Sequence, residues 1–241
     1  MNYSARLREL QCGDMPTEPP ETEIRFPDPR DMPSDVVAVG VDFRAGTLLS
    51  AYRAGIFPWP QSARRVGWFS PDPRAIFPLE NEPHWSRSLR RTLRSRKFEV
   101  TLDEAFVDVV EACGTERSEG TWIVPQLIEG YTRLHKLGWT HSVEVWEREN
   151  GRRNLVGGIY GIAIGRFFSG ESMFHRRTDA SKVAFASLVE RLRAAGYELF
   201  DVQVQNPHLK SLGAIEIPRG DYLDRLTRAL ASDAEPLANA S

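Results

Sequence analysis

The chain has 241 residues, with 31 Lys plus Arg against 33 Asp plus Glu and a formal net charge of -2 at pH 7. That balance leaves no global basic footprint, so any nucleic-acid contact must be local. Two cysteines, Cys12 and Cys113, make no disulfide framework, no Cys/His cluster suggests zinc, and no run approaches ~18 apolar residues, which predicts a cytoplasmic protein with no membrane contact and no metal.

Residues 13–35 hold six prolines and many acids and predict an extended arm. Thr47 to Gly55 reads as a short helix, with Leu48, Leu49 and Tyr52 on one stripe. The aromatic and proline-rich strings IFPWP and GWFSPDPRAIFP read as ordered loops. Pro83 to Lys97 reads as a helix, Phe98 to Thr101 as a strand, and Asp103 as the cap of a helix carrying Phe106, Val109, Val110 and Cys113. Pro125 suits the first turn of a helix that runs to Gly138. His141 to Glu147 alternates as a strand, and Leu155–Gly161 and Ile162–Ser169 read as two adjacent strands. Asp179 is placed to cap a helix from Ala180 to Ala195, which Gly196 closes. A strand through Asp201, a short helix, a strand near Ala214 to Ile217 and a last helix from Asp221 complete the pattern. The tail beyond Ser232 reads as loose.

Mixed elements in this order predict a layered α/β or α+β domain. A meander, a helix and a strand with a polar end is the layout of the Gcn5-related acyltransferase core, an analogy of fold alone.

The string YELFDVQVQNPH carries the chemistry. Strand alternation puts Leu199, Asp201 and Gln203 on one face and Phe200, Val202 and Val204 on the other. A buried carboxylate needs partners or a cleft. Asn206 adds a third polar group at the strand's carboxyl end. Glu171 follows RFFSG at a strand end among Phe167, Phe168, Met173 and Phe174, where an acid is either paired or functional. Between His84 and Phe98 there is no acid, while six Lys or Arg fall between Arg87 and Lys97; an unbalanced face of this kind suits a phosphate backbone. Trp59, Trp68, Phe69, Trp122 and Tyr131 lie in or beside loops where a base can stack. GESMFHRRTDASKVA lacks the Q/R-x-x-G-x-G/A cradle for a coenzyme A pyrophosphate, which argues against that donor. No H-E-x-x-H pattern or nucleophile elbow occurs.

The strings AYRAGIFPW, WFSPDPRAIF, HWSRSLRRTL, GTWIVPQLIEGYTRLHKLGWTHSVEVW, LVGGIYGIAIGRFFSGESMF, DASKVA and FDVQVQNPHLKSLGAIEIPR together resemble the leucyl/phenylalanyl-tRNA–protein transferase family over most of residues 40–222. The resemblance implies an α+β enzyme with a small N-terminal domain, residues 1–72 with the arm, a Gcn5-related N-acyltransferase-like domain with a mixed sheet flanked by helices, residues 73–232, and a loose tail, 233–241. It implies transfer of leucine or phenylalanine from leucyl-tRNA or phenylalanyl-tRNA to the α-amine of proteins beginning with Lys or Arg, marking them for N-end-rule degradation, by a monomer. No cofactor is implied, since the ester is already activated. By the same resemblance Asp201 and Gln203 hold and deprotonate the amine with Asn206 in support, and Glu171 attracts the acceptor cation. Tyr52, Trp59, Trp122 and Tyr131 line the aminoacyl-adenosine site, and Phe168 and Met173 the side-chain pocket. Arg87, Arg90, Arg91, Arg94 and Lys97 hold the acceptor stem. Ile159 and Leu188 stand where a methionine and a phenylalanine occur in a relative, so donor preference among Leu, Phe and Met is left open. Two rivals remain from the residues alone, a thioester-dependent N-acyltransferase and a non-catalytic RNA-binding adaptor.

Overall fold

The prolines expected to mark loops lie instead in or beside strands. The computed structural model describes residues 16–40, 42–62, 65–115 and 123–239. Val36–Val39 (β1), Phe57–Ser62 (β2) and Arg65–Phe69 (β3) form a small antiparallel sheet in the order β1-β3-β2. An edge strand such as β2 tolerates Pro58 and Pro60 because one of its sides needs no donors. Arg74–Phe77 (β4) is also a strand, and all four of its residues are buried.

β4 belongs to a second sheet of seven strands in the order β10-β4-β9-β8-β7-β6-β5. Its other members are Glu99–Leu102 (β5), Thr140–Glu149 (β6), Arg152–Ile164 (β7), Phe167–His175 (β8), Leu199–Gln203 (β9) and Ile215–Ile217 (β10). Every neighbouring pair is antiparallel except β8 and β9, which a crossover through Ala180–Ala194 (α5) makes parallel. The strands expected at Leu155–Gly161 and Ile162–Ser169 divide differently: residues through Ile164 form one long strand, β7, and Phe167–Ser169 open β8. The chain reverses at Gly165, whose φ of 56° and close approach to Ser232 O, 2.7 Å from where a Cβ would sit, exclude a side chain.

The remaining helices are Ala45–Arg53 (α1), Arg87–Arg94 (α2), Phe106–Thr115 (α3), Pro125–Lys136 (α4), Pro207–Leu212 (α6) and Arg219–Leu230 (α7). They cover both faces of the large sheet, because its strands carry apolar groups on both. In β7, Tyr160, Ile162 and Ile164 enter a core with α1, α3, α4, α7 and the small sheet. Ile159 and Ala163, one residue out of phase, enter a second core with α2, α5 and α6. The chain is thus an α+β protein with a seven-stranded mixed sheet, flanking helices and a small N-terminal sheet packed against one side.

Several local expectations are corrected. α2 is shorter than Pro83 to Lys97: Ser86 caps it by accepting from Leu89 N, and Arg96 takes a left-handed φ of 51° just beyond it. Asp103 and Asp179 give no side-chain cap. Both are left-handed, at φ 60° and 69°, and their carboxylates are used elsewhere. Asp103 accepts from Ser142 N and meets His141 Nδ1 at 2.7 Å, while Asp179 meets Thr92 and Lys182. The arm from residue 16 is extended, with one 3-10 turn at Pro29–Asp31, but it is tied down at both ends. Trp139 donates to Thr17 O, and Arg219 donates to the carbonyls of Met32, Ser34 and Ser70. Residues 233–239, expected to be loose, are docked: Leu237 is 2% exposed within the second core and its carbonyl accepts from Arg191.

Candidate active site

A cavity opens where the parallel strands part. β8 and β9 are paired from Phe167/Leu199 through Ser169/Asp201. Beyond that point β8 runs on to His175, whereas β9 ends at Gln203. The gap holds a cavity of about 340 Å³. Phe57 and Trp59 of β2, Glu171, Met173 and His175 of β8, Ser181 and Phe185 of α5, and Phe200, Val202 and Gln203 of β9 line it, with Ile159, Asn206 and His208.

The floor is polar and the walls are apolar. Glu171 Oε1 accepts from Gln203 Nε2 at 3.0 Å and lies 3.1 Å from Ser169 Oγ. Its Oε2 accepts from Tyr131 O–H at 2.8 Å, and Tyr131 is in turn bonded to the Tyr52 hydroxyl. Behind Ser169 sits Asp201. Its carboxylate accepts a bidentate pair from Arg74, Nε at 2.9 Å and Nη2 at 2.6 Å, and also receives Tyr222 O–H at 3.1 Å and Gln203 N at 2.8 Å. Ser169 Oγ is 3.4 Å from Asp201 Oδ2, so one hydroxyl lies between the two acids.

Burial sets the electrostatics. It pushes Glu171 up to about 7, against the Tyr52 hydroxyl behind Tyr131 and the hydrogen bonds of Tyr131 and Gln203, which favour the anion, and with the nearby Asp201 charge adding to the rise. Tyr52, Tyr131 and Tyr222 are held well above the usual phenol range, chiefly by burial, and so act as O–H donors at neutral pH. His208 is lowered by burial and by the charges of Lys182 and His175.

The expected site residues separate into layers. Trp59, Glu171, Met173, Gln203 and Asn206 line the cavity. Tyr52, Tyr131 and Asp201 lie beneath it, fully buried, and do not line it. Asp201 and Gln203, expected on one face by simple alternation, diverge because Gln203 takes a left-handed φ of 66°. Asn206 also caps α6, accepting from Leu209 N at 2.8 Å. Phe168 stands outside the lining, packed edge-on against Tyr197 and Phe200 in the second core. Ile159 lines the cavity and Leu188 does not. Trp122 lies outside the described residues. Arg87, Arg90, Arg91, Arg94 and Lys97 are exposed on or just after α2. Lys97 pairs with Glu147 at 3.2 Å, and the four arginines make no ion pair among the described residues. α2 packs on α5 through Thr92 and Asp179, and Trp85, just before α2, meets the cavity residue Phe185 edge-on at 6.4 Å.

Sequence reasoning missed Arg74, Ser169 and Tyr222. Only Arg74 leaves a trace, as a cation in a string of otherwise apolar residues between prolines, RAIFP.

Two family profiles match the chain. Residues 76–227 match the profile described as leucyl/phenylalanyl-tRNA protein transferase, and residues 41–72 match that of its N-terminal domain. The chain is 48% identical to the leucyl/phenylalanyl-tRNA–protein transferase of Desulfatibacillum aliphaticivorans, covering 90% of this chain and 92% of that one. It is 46% identical to the enzyme of that name from Stutzerimonas stutzeri (strain A1501), over 93% and 95%, and 50% identical to that of Anaeromyxobacter sp. (strain Fw109-5), over 86% and 88%. The chain therefore belongs to the leucyl/phenylalanyl-tRNA protein transferase family of aminoacyltransferases.

Proposed function

We propose that the cavity is where the aminoacyl ester of leucyl-tRNA or phenylalanyl-tRNA meets the N-terminal amine of a protein that begins with Lys or Arg. The product is an extended protein N-terminus, the entry point of N-end-rule degradation in the cytoplasm, and the chain acts as a monomer. The single observation that carries this reading is the cavity's composition. Its apolar wall of Ile159, Met173, Phe185 and Val202 suits an aliphatic or aromatic side chain, while Glu171 and Gln203 on its floor suit a cationic amine. The exposed arginines of α2, linked to the wall by Trp85 and α5, suit the acceptor stem of the tRNA. Trp59, 39% exposed at the mouth, suits stacking on the terminal adenosine.

Aminolysis asks little of the protein. The ester is activated, and a free α-amine has a pKa of about 7.7–8.0, so orientation and one proton acceptor supply most of the catalysis. Gln203 and Asn206 orient the amine, Glu171 meets it, and Asp201 acts on both from below. Tyr52 and Tyr131 act through Glu171, and Phe168 through the wall behind Phe200. Apolar pockets separate Leu from Phe or Met by only ~1–3 kcal/mol, so the donor choice rests on Ile159 and Met173. The parallel β8–β9 pair joined by α5 supports a Gcn5-related core for residues 73–232, with residues 1–72 as the smaller domain.

The test is transfer of labelled leucine from tRNA to a peptide beginning with Arg. Transfer is expected from aminoacyl-tRNA and not from a thioester of coenzyme A. Acylation from the thioester, or RNA binding without turnover, would overturn the reading.

A further inference from the structure

A buried ion pair that does not reach the cavity needs a reason, because taking two charges out of water is costly for each. Arg74 and Asp201 are 1% and 0% exposed. The guanidinium is immobilised between two rings, 4.7 Å from the centre of Phe57 and 4.4 Å from that of Tyr222, and its Nη1 donates to Gly55 O. Phe57 is itself a cavity wall. Arg74 is brought to Asp201 because β4 is the antiparallel neighbour of β9, with Ile76 opposite Asp201 and Ala75 opposite Gln203.

Asp201 has no acceptor position left. Two donors from Arg74, the Tyr222 hydroxyl and the Gln203 amide N–H fill the roughly four lone-pair sites of the carboxylate, which leaves the single Ser169 proton to the nearer Glu171. The Gln203 N–H bond to Oδ1 also stabilises the left-handed backbone that aims the Gln203 amide at Glu171. Glu171, by contrast, lines the cavity and holds three donors.

We propose that Arg74 is a positioning residue for aminoacyl transfer: it holds Asp201 as a charged, fully occupied anchor for Gln203, and so leaves Glu171 to take the proton from the attacking amine. The proposal rests on the transfer reading above. In the step, the acceptor's ammonium gives one proton to Glu171, and the freed nitrogen lone pair forms the bond to the ester carbonyl carbon. The carbon–oxygen bond to the ribose then breaks, the second nitrogen proton goes to the leaving ribose oxygen, and Glu171 returns its proton to solvent. A Glu171 acid raised to about 7 by burial is a base matched to an α-amine of pKa about 7.7–8.0.

The experiment is single-turnover transfer from leucyl-tRNA to a peptide beginning with Arg, over pH ~5 to ~9, with donor affinity measured in parallel. The wild-type rate is expected to rise through a limb near 7. Arg74→Lys is expected to lose about 10- to 100-fold in kcat with little change in KM or donor affinity, and to keep that limb. Glu171→Gln is expected to lose the limb and show only the titration of the acceptor's amine, near ~8. The double variant Arg74→Gln/Asp201→Asn removes both charges and leaves no lone buried ion; it is expected to keep the limb at a reduced rate and stands in should Arg74→Lys fail to fold. A limb that survives Glu171→Gln, a limb lost in the double variant, or a wild-type kcat in Arg74→Lys would overturn the proposal. A wild-type protein that transfers nothing from leucyl-tRNA would instead overturn the functional reading beneath it.

Discussion

Glu171 is pulled two ways, by burial toward the neutral acid and by its donors toward the anion. Because its folded pKa of about 7 exceeds the ordinary 4.5, the folded state binds the proton more tightly than the unfolded chain. The stabilisation is full below 4.5 and is lost as pH rises through the window to about 7. Above it the penalty is roughly 3 kcal/mol, an order-of-magnitude figure from ~1.4 kcal/mol per pKa unit. Glu171→Gln should therefore raise the melting temperature relative to wild type at pH ~8 and not at pH ~4, read by paired thermal melts; equal shifts at both would place the acid's ionisation elsewhere. Tyr131→Phe removes a donor that favours the anion, so the limb of the pH–rate profile should move to higher pH, and a shift downward would contradict the assignment. The acids and the amide were legible as polar groups in apolar strings. Arg74 left only the trace of a lone cation in RAIFP, because its partner is 127 positions away and nothing local signals a bidentate pair.

The elements divide the labour between grip and geometry. The α2 arginines are exposed and unpaired among the described residues, so Arg90→Gln/Arg91→Gln should leave the melting temperature nearly unchanged. The same change should weaken tRNA binding and flatten its salt slope by about 1 to 2. Titrating affinity against KCl checks this, and an unchanged slope would put the RNA elsewhere. Asn206→Ala should cost about 0.5–2 kcal/mol through the lost cap of α6, and also lower turnover, since one side chain serves both tasks. Periodicity made α1, α4 and α5 legible. It failed for β2, where prolines mimic loop composition yet sit at the edge of a small sheet. It failed for β7 because a strand buried on both faces has no polar beat to mark its length.

Across the whole molecule, long-range ties hold the arm that local sequence reads as loose. Arg219 alone serves three carbonyls, of Met32, Ser34 and Ser70. Arg219→Ala should lower stability by about 1–3 kcal/mol and expose residues near 30 to proteolysis; an unchanged cleavage rate would show that other contacts hold the arm. None of this was legible, since sheet order and crossovers decide which distant segments meet. The hydroxyl line from Tyr52 through Tyr131 to Glu171 starts on α1, passes α4 and ends on β8. A hybrid grafted from two relatives at the junction of the two sheets would inherit the acid from one parent and its outermost hydroxyl from the other. Its pH optimum would then follow the match between parents, not the identity of either.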